Sequence, residues 1–150
     1  MMAVFVAATA LACAGHAPVA GFAPGQAALA DALVPGRAVE LALRPARDVS
    51  FVPPPAKAPP ADSFAAEVPL TIKAAGTYRL ELGSRAWVDV VRDGAAVAST
   101  DHGHGADCSG IAKTVAFRLE PGAYRVQLSG APARAITVRV VRALALPDKK

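Results

Sequence analysis

From Phe64 to Val140 the chain alternates apolar and polar residues in short runs, and each run stops at glycine or proline. Side chains of an extended strand point alternately to opposite faces, so each run describes a strand with one buried face. Phe64, Ala66, Val68, Leu70 and Ile72 form the first run. Pro69 inside it predicts an edge strand or a bulge, because proline donates nothing to a ladder. Tyr78, Leu80 and Leu82 follow Gly76, and Trp87 to Val91 leads into Arg92-Asp93-Gly94-Ala95, a hairpin signal. Val115, Phe117 and Leu119 alternate before the turn Glu120-Pro121-Gly122. Tyr124, Val126 and Leu128 come next, Ser129-Gly130 predicts a further turn, and Ile136, Val138 and Val140 close the series. No segment carries a helical stripe of comparable quality. Short strands punctuated in this way predict an all-β sandwich or barrel of about eight or nine strands.

The first third is less regular. Val39, Leu41 and Leu43 alternate as a half-buried strand, and Val49 to Val52 predicts a short second one. Residues 53–60, Pro-Pro-Pro-Ala-Lys-Ala-Pro-Pro, cannot join a ladder and predict an exposed, extended connection. Residues 15–36 are rich in Ala, Gly and Pro and read as a flexible lead, with at most a turn or two of helix over Ala27–Leu33. Residues 37–142 then form a single sandwich domain, and 143–150 a tail. Within the domain, Gly76-Thr77-Tyr78-Arg79-Leu80-Glu81-Leu82 is echoed by Gly122-Ala123-Tyr124-Arg125-Val126-Gln127-Leu128. The echo predicts equivalent places in two sheets.

A chain of 150 residues can bury a core without metals or disulfides. Aromatics are only 5%, so that core must lean on Val, Leu and Ile, with Phe64, Trp87, Phe117 and Tyr124 as anchors and packing as the expected role of Trp87. The net charge of +4 is spread as single arginines, with no basic stripe interleaved with aromatics, which argues against a nucleic-acid partner. Residues 1–30 carry no Asp, Glu, Lys or Arg. Residues 1–14 form a signal-like segment, apolar and then small, too short to span a bilayer and lacking a positive start. The expected location is periplasmic or secreted. Cys13 and Cys108 are the two cysteines, and an oxidising compartment favours their pairing. Two other outcomes compete. Ala10-Leu11-Ala12-Cys13 is a degraded lipobox that would anchor Cys13 to lipid, and cleavage after Ala14 would leave Cys108 a free thiol.

Only one loop carries chemistry: Asp101-His102-Gly103-His104-Gly105-Ala106-Asp107-Cys108-Ser109-Gly110. His102 and His104 project to the same side of an extended chain, and the glycines let the loop fold back toward Cys108 and Asp107. Imidazole, thiolate and carboxylate together suit Zn²⁺ or copper. The plain alternative is a structural loop with Cys108 as half of a disulfide. Gly105 and Gly110 before Lys113-Thr114 imitate a phosphate loop but lead into a strand, so no helix N-terminus forms. A blue-copper site would want an axial methionine, and the only methionines are Met1 and Met2. A Cys–His nucleophile lacks a third, orienting group.

Asp62-Ser63-Phe64, Ala75-Gly76-Thr77-Tyr78, Val88 to Gly94 and Leu119 to Val126 resemble the bacterial pre-peptidase C-terminal type of sandwich over roughly residues 62–142. That resemblance implies an antiparallel β-sandwich of jelly-roll type. The whole chain is similar to short exported alphaproteobacterial proteins with an H-x-H-G-x-x-C loop, some named homogentisate 1,2-dioxygenase. This second resemblance implies a small metal-dependent, cupin-like enzyme using the same loop. A cupin oxygenase binds iron through H-x-H-x3-E and a later histidine. Here Cys108 stands where the glutamate belongs, and no histidine follows His104. The reading is therefore an exported, non-enzymatic sandwich with no catalytic residue, taking Zn or Cu at His102, His104, Cys108 and Asp107. The rivals are the oxygenase and an accessory module that docks a carbohydrate or protein through Trp87.

Overall fold

A computed structural model of the chain describes Cys13 and residues 17–143. The signal-like segment, Cys13 apart, and the tail beyond Ala143 lie outside the described residues. Eleven strands occur among the described residues: β1 (Ala28–Ala30), β2 (Val39–Ala42), β3 (Arg44–Pro45), β4 (Phe64–Ile72), β5 (Gly76–Leu82), β6 (Trp87–Arg92), β7 (Ala95–Val97), β8 (Ser99–Gly103), β9 (Lys113–Leu119), β10 (Gly122–Ala131) and β11 (Ala135–Arg142). They make a six-stranded sheet, β1-β2-β11-β5-β9-β8, and a five-stranded sheet, β3-β4-β10-β6-β7. All pairings are antiparallel except β1 with β2. One core lies between the sheets. Leu80, Leu82, Val138 and Val140 of the larger sheet meet Val90, Val126 and Leu128 of the smaller, each fully buried. The architecture is an open, sandwich-like arrangement of two sheets.

The alternation predicted from sequence is the alternation of burial. In β4, Val68, Leu70 and Ile72 are buried while Pro69 and Thr71 are exposed. Pro69 sits where β4 has β10 on one side and only an isolated bridge, Leu33 with Leu70, on the other. Its missing N–H therefore costs no ladder bond. Asp93 (φ 52°) and Gly94 (φ 77°) both adopt the left-handed region, as a two-residue hairpin between β6 and β7 requires. The echo also has a structural counterpart, with β5 interior to the larger sheet and β10 central in the smaller. Tyr78 Oη donates to Ala74 O at 2.6 Å and Tyr124 Oη donates to Glu120 O at 2.8 Å, each reaching back four residues.

Three expectations need correction. Val49 to Val52 is not a strand; a 3-10 turn at Ala46–Asp48 precedes irregular backbone there. Ser129-Gly130 is not a turn but a bulge inside β10, where the register with β4 shifts between Leu128 and Ala131. The bulge keeps the chain in the sheet while Gly130 takes a φ of 67°. The lead is not loose from residue 17 on. Val19 N donates to Ser109 O at 2.8 Å, Phe22 is buried against Arg139 on the outer face of the larger sheet, and β1 adds an edge strand. Leu33 is only 3% exposed and belongs to the core. Its few apolar residues are enough to hold a chain too poor in periodicity to announce them.

Near each lateral edge of the sandwich the chain crosses between sheets, at one of them just inside the edge strand β1. At one, β2 of the larger sheet continues through Leu43 into β3 of the smaller. At the other, β7 of the smaller continues through Ala98 into β8 of the larger. Because β7 spans three residues and pairs only with Val90 to Arg92, the edge of β6 from Trp87 to Asp89 has no strand beside it.

Candidate functional site

The loop that carries His102, His104 and Cys108 begins in β8. His102 pairs with Val115, so its side chain lies on the inward-facing side of β9 at the margin of the sheet. His104 follows the strand, with its Nδ1 3.4 Å from Ala112 O. The loop then doubles back tightly, and a Cβ on Gly105 would stand 2.3 Å from Ile111 O. Cys108, at φ 64°, is bonded to Cys13, with Cα atoms 5.5 Å apart across a sequence separation of 95.

That bond changes the anticipated ligand set. A disulfide sulfur is not a thiolate, and only a thiolate ligates a metal strongly. His102 and His104 are brought to a common groove, while Cys108 and Asp107 face a separate shallow depression that His104 also borders. Among the described residues no group of three or more His, Cys, Asp or Glu converges on a metal position. The glycines do fold the loop back as the sequence suggested; its partner is Cys13.

The groove that receives the histidines has a volume of about 670 Å³, within the usual range for small-ligand sites. Lys57, Arg85, Trp87 and Lys113 also line it, and no carboxylate does. The basic groups come from three separate stretches: the proline-rich connection, the turn before β6 and the start of β9. Lys57 and Arg85 are exposed and form no salt bridge among the described residues. Lys113 pairs in register with the fully buried Leu82, so it occupies an inward position at the open end of β9. Its Nζ donates to Ala86 O at 2.8 Å and lies 5.4 Å from the centre of the Trp87 ring. Burial lowers its pKa from the ordinary lysine value, against the opposing charge of Asp89, and Lys57 adds a smaller downward push.

Trp87 is not packed away as expected; it is 37% exposed, and its Nε1 donates to Asp89 Oδ2 at 2.8 Å. This bond satisfies the one polar atom of the indole and leaves the ring as a wall. Trp87, His102 and Lys113 also line a second cavity of about 240 Å³, whose other walls include Val88, Val97, Val115 and Phe117. This cleft opens where β6 lacks a neighbour, and it reaches between the sheets.

Sequence reading missed Lys57, Arg85 and Lys113, because residues so far apart share no motif and isolated charges read as a solvated face. One signal was available. Lys113 falls in phase with Val115, Phe117 and Leu119, the inward positions of its strand. No family model matches the chain, and neither the curated proteins nor the solved structures contain a significant match, so its function is read from the chemistry of the groove alone.

Proposed function

We propose that this protein is an exported, non-enzymatic binding module that takes a small anionic ligand into the groove beside Trp87. The observation that carries the reading is the convergence of Lys57, Arg85 and Lys113, with His102 and His104, around an exposed indole in a groove lined by no carboxylate. Lys57 and Arg85 form no salt bridge among the described residues and Lys113 is partly desolvated, so the three together attract an anion more strongly than scattered surface charges do. The exposed aromatic wall fits the accessory-module reading, with an acidic sugar or another carboxylate as the ligand class.

The disulfide supports export, since cytosolic thiols are kept reduced. It also favours removal of any leader before Cys13 rather than after Ala14, and a soluble mature form over a lipid anchor on the same sulfur. The crossings at the two edges are the feature that favours a jelly-roll connection of the sheets. A metal remains the second reading, because His102 and His104 share the groove. Zn²⁺ or copper there, whether bound or used as an oxygenase would use it, has two imidazoles for ligands and three basic groups opposing it.

Trp87 is the only tryptophan, so its emission reports the groove directly. Titration of natively processed protein with acetate or phosphate is expected to change that emission saturably, and added salt should weaken binding by screening. Lys113→Gln should weaken it by about ten-fold, the loss of one charge-assisted hydrogen bond. Saturable binding of Zn²⁺ with none of either anion would replace this reading by the metal one.

A further inference from the structure

Groove and cleft share Trp87, His102 and Lys113, yet their other walls differ in kind. The groove side adds Lys57 and Arg85, while the cleft side adds Val88, Val97, Val115 and Phe117, with Asp89 and Ser99 among them. A ligand spanning both would meet cations at one end and the inter-sheet core at the other. Resting on the anion-binding reading above, we propose that the site holds one alkyl-chain anion, its charged head among Lys57, Arg85 and Lys113 and its chain between the sheets.

The fold itself shows how such a gap is filled. At the opposite edge, β3 covers only Phe64 and Ala65 of β4, leaving the rest of that edge without a strand. There Leu33 enters from the lead, its N–H donating to Pro69 O at 3.0 Å and its side chain joining the core at 3% exposure. No segment of the described residues does the same at Trp87 to Asp89. Val97 is only partly buried at the margin of the core, and the cleft beside it is walled largely by apolar side chains. The two inward positions nearest the mouth are His102 and Lys113, neither of which suits a closed core. Burial of an ammonium is unfavourable unless a partner reaches it. Lys113 already has Ala86 O and the Trp87 ring; an anionic head adds a charged acceptor on the groove side, and its chain supplies what Leu33 supplies at the other edge. Asp89 lies at the cleft and is held by the indole N–H. A head placed on the groove side, away from Asp89, avoids its repulsion.

Calorimetry and Trp87 emission with acetate, butanoate, hexanoate and octanoate, each below its micelle concentration, test the proposal. Each methylene taken into the cleft should tighten binding about four-fold, so that octanoate exceeds acetate by at least about 100-fold. Octanol should bind far more weakly than octanoate, because it lacks the charge. Magnetisation transfer from the octanoate methyl group to Val97, Val115 and Phe117 in the wild-type protein places the chain without relying on a variant. Val97→Trp, checked for folding by its melting curve, should erase the chain-length gain in calorimetry. Saturable acetate binding with no gain from added methylenes overturns this proposal and leaves the anion site standing. No saturable binding of any carboxylate overturns both.

Discussion

The two edges of the sandwich are built alike and finished differently. In each, a chain crosses from one sheet to the other and leaves part of a smaller-sheet strand without a neighbour. The lead peptide closes the β4 edge with Leu33, and that strap is held at its far end by Cys13–Cys108, by Val19 on Ser109 and by Phe22 on Arg139. The β6 edge has an indole, an imidazole and an ammonium where a core would place aliphatic groups. One edge is organised for stability. The other gives up apolar contact for polar and basic side chains around a cleft.

The largest effect expected concerns the bond that ties down the strap. Replacing Cys13 and Cys108 together by serine should lower stability by about 3–4 kcal/mol, since the bridge closes most of the described chain into one loop. Urea unfolding measures the loss, and hydrogen exchange locates it. The Leu33 amide should lose more protection than those of β5 and β10, whereas uniform loss would mean that the bridge does not specifically hold the β4 edge.

Next in size is the contrast between the edges themselves. Leu33→Ala should cost about 3 kcal/mol, because it empties a closed core position. Val97→Ala should cost under about 1 kcal/mol, since one side of Val97 already faces a cavity and forfeits fewer contacts. Equal costs in matched denaturation curves would show that both edges are equally packed. Trp87→Ala should abolish the ligand-dependent rise in melting temperature that the proposed anion would confer on the wild type by mass action.

The smallest effect is a pH dependence. Burial depresses the Lys113 pKa, so between the depressed folded value and the ordinary lysine value the unfolded chain holds more protons. Stability contributed by this group is therefore lowest while it is charged in the fold and rises with pH through that window. Anion affinity should run the other way, falling as Lys113 loses its proton, with Asp89, Lys57, Arg85 and His102 the charged or titratable groups around it. Lys113→Met should remove both slopes in unfolding and binding measured across the alkaline range. An unchanged stability slope in that variant would assign the effect to another group.

Strand periodicity was legible because a strand's facing is a local matter: every second residue of β4, β9, β10 and β11 had to be apolar for a two-sheet core to exist. The hairpin at Asp93-Gly94 and the edge position of Pro69 were legible for the same reason, since backbone angles and missing donors are properties of single residues. The paired echo, too, announced two strands, and the structure adds the same tyrosine tether to each. Ser129-Gly130 misled because a glycine suited to a turn is equally suited to a bulge, and the strand partner decides which forms.

Which edge would be closed and which left open depended on contacts between residues far apart in the chain. Leu33 looks like any residue of an Ala- and Pro-rich lead until β4 offers it a gap beside Leu70. Lys57, Arg85 and Lys113 look like solvated charges until the proline-rich connection, the turn before β6 and the start of β9 meet around Trp87. The sequence by itself determined the strands, their inward faces and the cysteines available to pair. The fold alone decided what met at the edges, because a gap between sheets exists only once both sheets do.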